Sequence, residues 1–147
     1  LLWTASGVNR PVADDPRLTA PTARNAQEID IYVCTKTAVY LYLPVGHKLK
    51  LVNKGDFRAQ AGNNPFHANA SVDLIMVANY DKMQGWDEHS IAFYGATDTG
   101  YISQNIYLFC AAENLKTCVC DNINREEIAK FINLKNGYVT LTQPVGK

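Results

Sequence analysis

The longest helical signal in the chain runs over residues 89–115. Its second half, Tyr101-Ile102-Ser103-Gln104-Asn105-Ile106-Tyr107-Leu108-Phe109-Cys110-Ala111-Ala112, carries apolar side chains on almost every face. A helix of this kind has to be covered on most sides, because leaving one large apolar side chain in water forfeits roughly 1.5–3 kcal/mol. The chain has 147 residues. At that length one core forms, since a domain of about 150 residues removes roughly 68–70% of its unfolded surface from water. A single core of this size does not wrap such a helix completely. Part of the cover is therefore expected from a second copy of the chain.

The strands are announced by a different period. Residues 72–78, Val-Asp-Leu-Ile-Met-Val-Ala, form a nearly continuous apolar run, the pattern of a central strand buried on both faces. Glu28-Ile29-Asp30-Ile31-Tyr32-Val33-Cys34 alternates polar and apolar, as a strand with one buried face does. Residues 39–43 and 48–52 follow, joined by a turn at Pro44-Val45-Gly46, and predict an antiparallel hairpin. A last strand is expected at residues 139–142, ended by Pro144 and Gly146.

Between these strands, residues 54–61 read as a short helix closed by Gly62, residues 62–70 as a linker and residues 80–88 as a loop. Residues 125–134 read as an amphipathic helix. Asn124 is its N-cap, and Glu126-Glu127 sit at the positive end of its dipole. Leu1-Leu2-Trp3-Thr4-Ala5-Ser6-Gly7 reads as the last turns of a helix with Gly7 as its left-handed cap, and residues 9–25 as an irregular loop. Strands cluster early and helices late. The expectation is one α+β domain over residues 1–147, a mainly antiparallel sheet flanked by helices, incomplete at its N-terminus.

Charge narrows the function classes. Fourteen basic residues balance fourteen acidic ones, so the electrostatic footprint of a nucleic-acid or membrane-surface protein is absent. No apolar run approaches the ~20 residues of a membrane span. A cytoplasmic protein is expected, with an export signal upstream of Leu1 left open. The four cysteines, Cys34, Cys110, Cys118 and Cys120, are expected as reduced, mostly buried thiols, and Cys118-Val119-Cys120 lacks metal-ribbon spacing. His47, His67 and His89 lie in polar or turn-rich segments and read as solvated loop residues. No nucleophile elbow, Walker loop or dinucleotide fingerprint is present, and no side chain reads as catalytic. Redox or transfer chemistry would have to come from a cofactor.

The segment Ala20-Pro21-Thr22-Ala23-Arg24-Asn25-Ala26-Gln27, running into the strand at Glu28, resembles the Pro-Ser-x-x-Asn-x-Gln motif of the FMN-dependent nitroreductase family, with Thr22 keeping the hydroxyl of the usual Ser. By itself it also reads as an Asn and a Gln closing a loop before a strand. Asp98-Thr99-Gly100-Tyr101-Ile102-Ser103-Gln104-Asn105 and the residues after it resemble the family's central helix. Lys116-Thr117-Cys118-Val119-Cys120-Asp121-Asn122 stands where the family carries a loop below the flavin ring. Here Val119 replaces a common Pro, and Asp121-Asn122 replace Gly-Gly or Glu-Gly. The closing Val139 to Lys147 resembles the family's last strand and Pro-Val-Gly turn.

Taken in order, these four segments imply a nitroreductase-like fold and an intertwined homodimer with FMN at the interface. Pro21, Thr22, Ala23, Arg24, Asn25 and Gln27 would bind FMN from one loop. Val119, Cys120, Asp121 and Asn122 would present backbone amides to the ring, and Lys147 would reach the phosphate. Gln104 and Asn105 would fix the interface. The implied activity is an oxidoreductase in which NAD(P)H reduces FMN, which then serves a nitro, quinone or similar small-molecule acceptor. The family also contains azoline-type peptide dehydrogenases, and a degenerate relative without flavin is a further possibility. The Arg-Ser-x-Arg stretch that clamps the FMN phosphate in the family has no counterpart here, which implies weaker FMN binding or none.

Overall fold

The computed structural model describes residues 1–147. In chain order the elements are α1 (Leu2–Ser6), β1 (Val8–Arg10), β2 (Arg17–Leu18), β3 (Ile29–Cys34), β4 (Ala38–Leu43) and β5 (Lys48–Lys54). Then follow α2 (Phe66–Asn69), β6 (Val72–Asn79), α3 (Glu88–Ala112), β7 (Lys116–Thr117), α4 (Arg125–Phe131) and β8 (Gly137–Gly146). Single 3₁₀ turns lie at Ala23–Asn25, Arg58–Gln60 and Tyr80–Lys82.

Six strands form one sheet in the order β5-β4-β3-β6-β8-β7, and every neighbouring pair is antiparallel. β6 lies inside it, paired to β3 and β8, with Asp73 to Ala78 all buried. Alternation along the strands sorts the core into two layers. Ile29, Ile31, Val33, Leu74, Met76 and Ala78 face α1 and α3, where Ile102, Ile106 and Cys110 meet them. Tyr32, Cys34, Ile75 and Val77 face the other way, onto Ile128, Phe131 and Ile132. The sheet is therefore covered on both faces, as the apolar run of β6 requires.

Local chemistry sets the limits of α3. Asp87 caps it, its carboxylate accepting the Ser90 amide at 3.0 Å. At the far end Asn114 adopts φ 54°, and the Leu115 amide donates back to the Cys110 carbonyl at 2.8 Å. One stripe of the helix lies on the sheet. Phe93, Tyr101 and Leu108 on its other side are 54%, 46% and 60% exposed in the single chain. No helix is long and apolar enough to cross a membrane.

Several expectations are corrected. Gly7 is extended at φ −85°, not left-handed; glycine is needed there because a Cβ would sit 2.4 Å from the Trp3 ring. Residues 9–25 are not wholly irregular, since β1 and β2 pair there. Residues 54–61 do not form a helix: Lys54 pairs with Ala38 and Gly55 turns the chain at φ 128°, leaving one 3₁₀ turn. The linker at 62–70 holds α2. β8 continues through Pro144, which stands opposite Asp73, because pairing on two sides leaves the strand held despite one missing donor.

Candidate functional site

The loop before β3 is built under backbone strain. Arg24, Asn25 and Gln27 all sit at positive φ (54°, 54° and 51°), a region non-glycine residues enter only when neighbours enforce it. The enforcement is visible. The Thr22 hydroxyl accepts the Gln27 amide at 3.0 Å and donates to Glu28 Oε2 at 2.9 Å. The Asn25 side-chain amide donates to Asp15 at 2.5 Å, and that of Gln27 to the Pro16 carbonyl at 2.6 Å. The Ala23 amide donates to Asp98 of α3 at 3.2 Å, which ties the loop to the central helix. Arg24 is exposed, its guanidinium 4.7 Å above the Trp86 ring. Within one chain, Asn25 and Gln27 thus close the loop, and Arg24 is left facing outward.

The turn after α3 is held by four partners. Cys120 exchanges hydrogen bonds with Thr142, N–H to O at 2.8 Å and O to N–H at 3.0 Å. The Asp121 carboxylate pairs with Arg125, which also donates to the Val139 and Thr140 carbonyls at 2.9 and 3.0 Å. Asn63 donates its amide to the Asn122 carbonyl at 3.1 Å and its side chain to Asn122 Oδ1 at 2.9 Å. The Val119 amide is taken by the Tyr107 hydroxyl at 2.8 Å. Of the predicted amides, those of Val119 and Cys120 are therefore engaged, whereas those of Asp121 and Asn122 donate to nothing within the chain.

Asp121 stands on the wall of a groove of about 490 Å³ between the first half of α3 and β8. Tyr80, Ile91, Gly95, Tyr138 and Leu141 line it, and most of its wall is hydrophobic. Its floor is fixed by a buried chain in which the Thr99 hydroxyl donates to Thr140, which donates to the Met76 carbonyl, both at 3.0 Å. Gly95 lets α3 lie close to the sheet, since a Cβ there would come 3.2 Å from Ala78.

The predicted residues do not surround one cavity of a single chain. Pro21, Thr22 and Gln27 line a hollow of about 10 Å³ beside α3, room for roughly one water molecule. Lys147 lines a third hollow, of about 260 Å³, with Lys116, Cys118 and Phe66. The four cysteines are unpaired, and only Cys118 is exposed.

Two features escaped the sequence. His67, expected to be solvated, is fully buried, with Nδ1 bonded to Asp73 Oδ2 and Nε2 without a partner. Burial pushes the Asp73 carboxyl up, and His67 opposes that shift. Gly62 covers the ring so closely that a Cβ would lie 2.1 Å from Nε2. The available signal was Asp73 itself, an acid on the buried side of an apolar strand, which demands a partner. The second feature is the carboxyl pair Glu28 and Asp98, both buried. Only the fold places the start of β3 beside the middle of α3.

The comparisons with known proteins agree with this architecture. The nitroreductase family model matches residues 1–147. The crystal structure of a protein from Ralstonia eutropha JMP134, described as a nitroreductase, is 34% identical with a TM-score of 0.91, covering 99% of this chain and 69% of its own. The Methanocaldococcus jannaschii protein MJ1384, also described as a nitroreductase, is 27% identical over 88% of this chain and 70% of its own. The E. coli microcin synthetase McbBCD complex shares the fold at 20% identity, with a TM-score of 0.85 over 99% of this chain and 60% of the matched one. On a match that runs from the first residue to the last, borne by the same sheet and central helix in a solved relative, this chain belongs to the nitroreductase family of oxidoreductases.

Proposed function

We propose that the protein is a homodimeric, FMN-dependent oxidoreductase that takes electrons from NAD(P)H and delivers them to a nitro, quinone or similar small acceptor. The observation that carries this reading is the pair of adjacent unengaged amides at Asp121 and Asn122, on a turn braced by Thr142, Arg125 and Asn63 beside a mostly apolar groove. Fixed main-chain donors at the edge of an apolar slot suit a flat heteroaromatic ring with polar atoms along one side. When bound, FMN supplies the two-electron chemistry that no side chain here performs.

The protein's own part is positioning. Asp121 and Asn122 offer amides, and Val119 and Cys120 hold the turn that presents them. Lys147 offers a point charge for a phosphate. The 21–27 loop lies outside the groove of its own chain, so Thr22 and Arg24 contribute from the partner subunit. The exposed Phe93, Tyr101 and Leu108 supply apolar surface for that contact.

Incubated with excess FMN and desalted, the protein with any residues that precede Leu1 included is expected to keep the visible flavin spectrum and to lose it on anaerobic addition of NADH or NADPH. A chain that emerges colourless overturns the reading and leaves a family member without flavin. A second reading is removal of two hydrogens from azoline rings in modified peptides, with bound FMN as their acceptor and dioxygen to reoxidise it, and its one observation is the fold shared with the microcin synthetase complex. Mass loss in an azoline-bearing peptide, with no NAD(P)H consumed, would favour it.

A further inference from the structure

Glu28 is fully buried and Asp98 is 3% exposed, yet neither forms an ion pair. The two carboxyls accept from adjacent residues of one loop, Glu28 from the Thr22 hydroxyl and Asp98 from the Ala23 amide. They line the small hollow under the 21–27 loop, whose remaining walls, from Ser6, Leu18 and Ile102 among others, carry no titratable group. The base nearest in the hydrogen-bond pattern, Lys82, reaches the Gln27 carbonyl but is paired with Asp30 at 2.6 Å. Arg24 lies outside, over Trp86. Two buried carboxylates in contact with no cation do not both stay ionised. One atom supports the same conclusion: Glu28 Oε1 is buried and accepts nothing. An oxygen carrying a hydrogen has something to donate, and Asp98 is the one other carboxyl lining the same hollow.

We infer that one proton, carried by Glu28, sits between Glu28 and Asp98 up to neutral pH, and that this proton is what holds the 21–27 loop on the central helix. The start of the loop hangs on the pair directly, and its end is held to it through Thr22. Thr22 donates to Glu28 at 2.9 Å while receiving the Gln27 amide, and Asp98 receives the Ala23 amide at 3.2 Å. Losing the proton places a second charge in a hollow of about 10 Å³, which admits roughly one water molecule to solvate it. Burial first, and the Asp98 carboxyl with it, pushes Glu28 up to about 7. Glu28 and Asp98 are thus positioning residues for Thr22 and Ala23. Their bearing on flavin rests on the function proposed above.

The test is a carbon-13 titration of the chain with labelled glutamate carboxyls, from about pH 5 to about pH 9. One glutamate is expected to titrate near 7. Its signal disappears in Glu28→Gln, and its midpoint falls in Asp98→Asn. If every glutamate titrates in the ordinary carboxylate range, or if Asp98→Asn leaves the midpoint unmoved, the shared proton is overturned. FMN binding, followed by fluorescence, is expected to weaken about tenfold from pH 6 to pH 9 in the unaltered chain and to stay flat in Glu28→Gln. A slope that survives in Glu28→Gln overturns the positioning role. Failure to bind FMN at any pH overturns the flavin reading instead, while the titration still decides the pair.

Discussion

Glu28 shows how one side chain ties stability to pH. Its carboxyl holds a proton up to about 7 in the folded chain, against roughly 4.3 in an unfolded one. Between those values the folded state binds more protons, so stability is highest below the window and falls as pH rises through it. The loss is bounded at roughly 4 kcal/mol, and denaturant melts across the window should show it in the unaltered chain and not in Glu28→Gln. On the other face of the sheet, His67 makes a comparable demand. Replacing it by Leu strands the Asp73 carboxyl in a dry site, a change expected to cost about 3–5 kcal/mol. Asp73→Asn in the same chain should recover part of that loss. Gly62→Ala drives a methyl into the His67 ring and should cost about 1–3 kcal/mol in the same melts. The sequence shows Asp73 as an anomaly in an apolar strand, but it does not name the residue six positions earlier as its partner, because the joining segment reads as linker.

Among the elements, α3 packs one side on the sheet and leaves apolar residues of its other side exposed. Asp87→Ala removes its cap and should lower the melting temperature with little change in spectrum or size. Leu108→Arg, at a position already 60% exposed, should leave the fold and its melting nearly unchanged. It is instead expected to halve the mass seen by sedimentation and to weaken FMN retention, as a charge on an apolar contact would. The strands were the legible elements, because alternation and continuous apolar runs report burial directly: β3, β4, β5 and β6 fall where those patterns put them. Residues 54–61 misled because their composition suits a helix, while one glycine at φ 128° turns the chain instead. β7 has only two residues and no pattern of its own; it exists because β8 offers an unpaired edge.

At the scale of the whole molecule, the candidate site divides along the same line. The 21–27 loop, the 118–122 turn and Lys147 were each recognisable as segments, since turn chemistry and motif order are local properties of the chain. Which amides of the turn stay free was not, because Thr142 and Tyr107 claim those of Cys120 and Val119 from far along the chain. That the 21–27 loop lines a hollow apart from the turn, whose Asp121 faces one groove and whose Cys118 shares another hollow with Lys147, is likewise a matter of how the sheet stacks on its helices. By itself the order of residues determined the sheet's central strand and the dominant helix, because periodicity and capping act over a few residues and need no partner, and its motifs carried the resemblance to the nitroreductase family. Only the tertiary structure decided the buried pairs Glu28–Asp98 and His67–Asp73. The environment that makes an acid hold a proton, or a histidine lose its solvent, is assembled by contacts that the linear chain does not contain.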